Sequence, residues 1–197
     1  MSATPRIAPL EPPFTPEVEA ELARWMPRGS PLPPLGLFRT LATDLPLARA
    51  MHPLGSFLLG RHFALSLRER EIVIDRVCAR CGCSYEWGVH VAAFAGAAEL
   101  DEHEIAATCA STTEGAAAAP SWSTRERLLV RAVDELHDHG RVGEALWEEL
   151  ARHLDERQLL ELLVLCGWYH LISFVANGAC VPHETWAVAF PTADPAR

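Results

Sequence analysis

The stretch Ser66-Leu-Arg-Glu69-Arg-Glu71-Ile-Val-Ile-Asp-Arg-Val-Cys78-Ala-Arg-Cys81-Gly-Cys83-Ser-Tyr-Glu86-Trp-Gly-Val-His90 decides the fold. It opens with Ser66 and Glu69, a pairing in which the serine hydroxyl accepts the third amide of a helix while the glutamate reaches back to the capping residue. The same signature recurs at Asp101 with Glu104, Ser123 with Glu126, and Asp155 with Gln158. Between these starts, apolar residues return at helical spacing, as in Leu128, Leu129, Ala132, Val133 and Leu136, and no segment alternates in the manner of a strand. The pattern predicts an all-α fold of about seven or eight helices, near 17–26, 44–60, 67–81, 84–97, 102–110, 124–139, 143–153 and 156–177. The alanine-rich segment 112–120 reads as a loop. The run Leu159 to Ala176 is apolar nearly all round, as expected of a central or interface helix rather than a membrane span, because Glu161 and His170 interrupt it.

Upstream, nine of the 15 prolines fall within the first 34 residues. This predicts a proline-rich N-terminal arm over 1–34 with one short helix, followed by a helical domain over 35–190 and a tail over 191–197. At 197 residues, 49% hydrophobic and 22% charged, the chain is long enough to bury one sizeable core.

All 17 basic residues are arginine. Without lysine there is no Schiff base, no pyridoxal phosphate anchor and no P-loop lysine. A net charge of -9 has the wrong sign for neutralising a nucleic-acid backbone. Nothing points to a membrane partner or an export signal, so a soluble cytoplasmic protein with its six cysteines as thiols is the expectation.

Chemistry concentrates between Glu71 and His90. If Gly82 breaks the helix, Cys83, Glu86 and His90 stand at i, i+3 and i+7 of the next one and share a face. An antiparallel hairpin would bring Glu71 beside His90, and a carboxylate next to an imidazole favours the imidazolium and fixes the ring tautomer. Cys78 and Cys81 lie at a helix end that disfavours thiolate, whereas Cys83 lies at a helix start that favours it, although an ionised Glu86 would oppose this. The structural alternatives are a core histidine satisfied by a carboxylate, a polar pair that only orients helices, and a cysteine packed as a small hydrophobe. Zinc held by Cys78, Cys81, Cys83 and His90 is disfavoured because these residues sit on regular helices rather than knuckles. No metal and no cofactor is expected. Tyr169 and His170 are candidates to line the same cleft, and His137 with His139 reads as solvated surface.

Glu71, Cys83, position 86 and His90, with the Tyr85-Glu-Trp-x-x-His string around them, resemble the alkylhydroperoxidase D and carboxymuconolactone decarboxylase family. The resemblance extends over roughly residues 35–181 and takes in Asp155-Glu-Arg-Gln-Leu and Trp168-Tyr-His-Leu. It implies an all-helical domain that assembles into dimers, trimers or hexamers, with active sites near the subunit interface. In the family's peroxidases a Glu–His relay deprotonates the second cysteine of a Cys-x-x-Cys pair. Here Glu71, Cys83 and His90 match, but Glu86 stands at the attacking position. Glu86-x-x-x-His90 is similar instead to the decarboxylase branch, in which a carboxylate and an imidazole move protons on a carbonyl compound. Three functions follow from the resemblance: acid–base chemistry on a carbonyl or lactone by Glu71, Glu86 and His90; a thiol-dependent hydroperoxidase using Cys83; and a non-catalytic oligomeric scaffold.

Overall fold

Helix starts in the computed structural model, which describes residues 4–27 and 29–191, follow the capping residues. The ten helices among the described residues are α1 (Pro16–Trp25), α2 (Gly36–Leu41), α3 (Leu45–Leu58), α4 (Leu67–Arg80), α5 (Ser84–Phe94), α6 (Glu102–Thr108), α7 (Thr113–Ala117), α8 (Thr124–His139), α9 (Glu144–Ala151) and α10 (Glu156–Ala179). Reciprocal capping bonds are present at Ser66/Glu69, Asp101/Glu104 and Ser123/Glu126, and at Asp155/Gln158.

The fold is all-α, with a helix count above the seven or eight expected from sequence. The two additions are short. Leu35 gives α2 no side-chain cap; Glu184, 148 residues away, accepts from the Gly36 N–H at 2.7 Å instead. Helix α7 lies in the alanine-rich segment expected to be a loop, where the Thr112 side chain caps the Gly115 N–H at 3.0 Å and alanine's helix propensity does the rest. Of the expected tail 191–197, residues 192–197 lie outside the described residues, as do 1–3 and 28 of the arm.

The chain forms two compact units. The first runs up to Phe63 and takes in Val175–Thr185. Within it, Val18 and Leu22 of α1 pack against Ala42, flanked by Leu10, Phe14, Phe38 and Leu45. Arg39 ties the proline-rich segment down by donating to the Leu10 carbonyl at 2.8 Å and to Glu11 at 2.6 Å.

The second unit, Ala64–Phe174 with the chain from Trp186 onward, carries the chemistry-bearing residues. Ile72, Val73, Ile74 and Val77 of α4 are fully buried, as are Leu129, Val130, Ala132 and Val133 of α8. Alongside these apolar residues α4 buries Arg70, Glu71, Asp75 and Arg76. The Arg76 guanidinium reaches Asp134 of α8 through two bonds of 2.8 Å and the carbonyls of Thr108 and Ala110 at 2.9 and 2.6 Å. Only a planar fork with several donors satisfies four acceptors at once.

Gly88 of α5 lies against the segment after Trp186: a Cβ there would sit 2.1 Å from the Val188 carbonyl oxygen. The absence of a side chain lets Val188 N–H donate to the Gly88 carbonyl at 3.1 Å and Phe190 pack on Trp87 at 5.1 Å.

Helix α10 has the length and apolar composition to cross a membrane, but 56% of its most apolar window is buried in the fold. Glu161 within it is itself buried, accepting from the Ala64 N–H at 2.5 Å and from Arg157 at 2.8 Å. These are the features of a core helix.

Replacing Arg76 by methionine leaves Asp134 charged and buried with its main partner gone. The expected cost is about 3–5 kcal/mol in urea denaturation. Adding Asp134→Leu should recover a large part of it, whereas equal stabilities for wild type and Arg76→Met would contradict this role.

Candidate active site

Helices α4 and α5 form the antiparallel hairpin expected from sequence. The turn rests on Gly82, whose φ of +59° lies in the left-handed region, a conformation that costs glycine little. It allows the Cys83 N–H to donate to the Cys78 carbonyl at 2.8 Å and start α5 at once.

The hairpin brings His90 to Glu71, with Nδ1 to Oε2 at 2.7 Å. Glu71's other oxygen accepts from Arg70 Nε at 2.9 Å. A carboxylate held by a guanidinium only accepts, so His90 Nδ1 carries a proton and Nε2 is the nitrogen left for chemistry. Facing Nε2 are the Tyr169 hydroxyl of α10 at 3.0 Å and the Glu86 carboxylate at 3.7 Å. The Tyr169 ring stands edge-on to the imidazole and the Phe94 ring lies tilted against it. His90 is only 4% exposed and Glu86 5%.

Asp75, one helical turn beyond Glu71, is a member of this cluster that sequence inspection missed. Its i+4 spacing from Glu71 was the available signal. Its Oδ1 has no hydrogen-bond partner, and burial, reinforced by Glu71, raises its pKa well above the ordinary value despite the opposing pull of His90. Loss of solvent thus favours its uncharged form.

Burial alone would depress the pKa of His90. Glu71, by charge and by hydrogen bond, together with Glu86 and Asp75, outweighs that and raises it. Burial, with the charges of Glu86 and Glu71, raises the Tyr169 hydroxyl well above its usual range, so it stays protonated.

Cys83 behaves differently from the expectation drawn from its place at a helix start. Burial pushes its thiol up to about 11 and the charge of Glu86 adds to this; the Glu86 backbone N–H and the Ser173 hydroxyl offset only part. Desolvation outweighs the helix end, and Cys83 is a thiol at neutral pH. None of the six cysteines is in a disulfide.

Tyr169 and His170 do not face one cleft. Successive helical residues point about 100° apart, so while Tyr169 meets His90, His170 turns to His137 of α8, with Nε2 to Nδ1 at 3.0 Å. His137 is accordingly half-buried rather than solvated surface, and Cys81 lies in the same cluster. Burial and the neighbouring Arg80 and His170 lower the pKa of His137. Two cavities, of about 320 and 520 Å³, are lined neither by His90 nor by Glu86.

Residues 47–134 match the carboxymuconolactone decarboxylase family profile. No curated protein matches the chain. Among solved structures, a peroxidase-related protein from Ralstonia eutropha JMP134, described as an alkylhydroperoxidase AhpD core, superimposes with a TM-score of 0.74 at 18% identity, covering 93% of this chain and 96% of its own. The debrominase Bmp8, as a cysteine-to-alanine variant with 2,3,4-tribromopyrrole, gives a TM-score of 0.74 at 15% identity, covering 94% and 95%. A protein of unknown function from Agrobacterium tumefaciens, described as a putative antioxidant defence protein AhpD, gives 0.59 at 19% identity, covering 70% and 90%. At such identities the likeness is one of fold.

The raised pKa of His90 has a sign that stability measurements read. Its protonation stabilises the folded chain fully below the ordinary imidazole pKa of about 6.5, and that contribution is lost as pH rises through the folded-state value. Urea denaturation from about pH 5 to about pH 9 should therefore show wild type losing stability relative to His90→Gln as pH increases. Parallel curves would show that the imidazole gains no proton affinity on folding.

Proposed function

The chain belongs to the carboxymuconolactone decarboxylase and alkylhydroperoxidase D-like family, and from that premise we propose that it is a small-molecule enzyme performing acid–base chemistry on a carbonyl or lactone-type substrate. The observation that carries this reading is the pairing of two proton-handling groups at one nitrogen: His90 Nε2 with the Glu86 carboxylate 3.7 Å away and the Tyr169 hydroxyl at 3.0 Å. Glu71 holds Nδ1 at 2.7 Å and orients the ring without touching substrate.

His90, with its raised proton affinity, serves as the acid. Its Nε2–H donates to the substrate oxygen as charge develops there, and Glu86 takes the proton from the adjacent carbon. Returning that proton to a different carbon isomerises the substrate, and departure of a leaving group from the neighbouring carbon in place of that return gives elimination. In decarboxylation carbon dioxide departs in place of the first proton, its bonding electrons pass to the carbonyl that His90 protonates, and the carbon then takes a proton from solvent while the enol oxygen returns its own to His90. Tyr169, protonated and rigidly held, donates a further hydrogen bond to the same oxygen. These steps use residues of one chain and need no added cofactor.

The burial of Cys83 as a thiol supports this ordering over the hydroperoxidase reading. What favours the second reading is the likeness to structures described as peroxidase-related. In that case the Cys83 sulfur attacks the peroxide, releasing an alcohol and becoming a sulfenic acid, and an external thiol restores it. A non-catalytic scaffold is the third reading. Each is compatible with a soluble cytoplasmic homo-oligomer, for which the exposed Leu160, Val164, Leu171 and Phe174 of α10 supply an apolar surface.

Three proteins separate the readings: wild type, Glu86→Gln and Cys83→Ser, each assayed against a panel of lactones and β-keto acids and against organic hydroperoxides with a thiol reductant. Carbonyl or lactone turnover should fall by about 10²-fold or more in Glu86→Gln and persist in Cys83→Ser. It should also decline as pH rises through the His90 pKa, since the acid form is then lost. Rapid peroxide turnover abolished in Cys83→Ser would reverse the order, and inactivity of wild type on both panels would favour the scaffold.

A further inference from the structure

Cys81, His137 and His170 form a second cluster of reactive side chains, outside the group around His90. Cys81 closes the C-terminal end of α4, His137 lies in the last turn of α8, and His170 projects from the middle of α10. One sulfur and two ring nitrogens from these residues all lie within 4.8 Å of one another. All three residues are half-buried.

The protonation pattern of the cluster follows from its hydrogen bonds. His170 Nδ1 lies 2.8 Å from the Cys166 carbonyl. A carbonyl only accepts, so this nitrogen carries the proton and Nε2 of the neutral ring carries a lone pair. That lone pair accepts from His137 Nδ1 at 3.0 Å. A ring whose remote N–H is fixed on a backbone carbonyl while its other nitrogen points at further donors has the supporting geometry usual for a metal-ligating histidine.

We propose that Cys81 Sγ, His137 Nδ1 and His170 Nε2 bind one borderline divalent transition-metal ion of the zinc class. The 3.0 Å between the two nitrogens is close to the separation of roughly 3.3 Å that a tetrahedral ion with bonds of about 2.0 Å imposes. The widest pair, at no more than 4.8 Å, closes by about 1 Å to bond. One thiolate with two imidazoles matches the donors such an ion prefers over magnesium or calcium. Binding releases the Cys81 thiol proton, while the His137 proton moves from Nδ1 to Nε2, so the ring stays neutral.

Arg80 is the neighbouring cation. It is paired with Asp138 and lies 3.7 Å from Asp134, so its charge is compensated. A cavity of about 320 Å³, lined by His137, Arg80, Cys109 and Ser111 among others, adjoins the cluster. It offers a route in and room for water as fourth ligand. This ligand set shares only Cys81 with the zinc site disfavoured from sequence, and it draws on three helices distant in the chain.

Cobalt(II) titration of the full chain under reducing, metal-free conditions tests the site. Saturation at one ion per chain is expected, with a thiolate-to-cobalt charge-transfer band and visible bands of tetrahedral intensity. Cys81→Ser should lose the charge-transfer band, and His170→Ala should weaken binding by roughly tenfold or more. Cys109→Ser, which alters the thiol lining the adjoining cavity, should bind as wild type does. X-ray absorption of the zinc-loaded wild type, which requires no variant to fold, should show one sulfur and two imidazoles. The proposal falls if there is no stoichiometric binding, no sulfur ligand, or a charge-transfer band that survives Cys81→Ser.

Discussion

Helix α4 passes through its unit carrying four arginines, two glutamates and an aspartate, and the unit holds together because almost every one of these charges is met. Arg68 reaches Glu104 and Glu126, Arg70 reaches Glu71, Arg76 reaches Asp134, and Arg80 reaches Asp138. Arg76, itself fully buried, anchors α4 to α8 and to the end of α6 through its four bonds. Lysine, a point charge on a flexible stem, could not serve four acceptors in a plane. The exclusive use of arginine thus has a structural counterpart in a buried polar helix.

Burying so many charges sets the protonation of the candidate active site. Glu71 is held between Arg70 and His90, and His90 answers with a raised proton affinity. Asp75, equally buried but lacking a partner for one oxygen, has its proton affinity raised by loss of solvent. Cys83 and Tyr169 are also held in their protonated forms by loss of solvent. Within one nearly dry environment, loss of solvent raises Asp75, Cys83 and Tyr169, while the neighbouring carboxylates raise His90 against that same loss.

Much of this organisation is legible in the chain because it is local. Capping pairs three residues apart mark four helix starts, and the interval from Glu71 through Gly82 to His90 contains the hairpin that joins carboxylate to imidazole. Features carried by distant partners are silent. Helix α2 depends on Glu184, Arg76 on Asp134, and His170 on His137. Tyr169 and His170 show the difference at its smallest scale: their neighbouring positions reveal that both lie on an apolar helix, but not which of two faces meets which cluster.

Sequence by itself determined the all-α class, the helix starts and the meeting of Glu71 with His90, since helical spacing and capping depend on residues within a few turns of one another. Only the tertiary structure decided that Cys83 is a buried thiol, that Asp75 lies beside the relay, and that Cys81 belongs with two histidines. Desolvation and cross-helix geometry depend on what surrounds a group in space. The charge at a helix start could be read from position; the larger cost of removing that group from water could not.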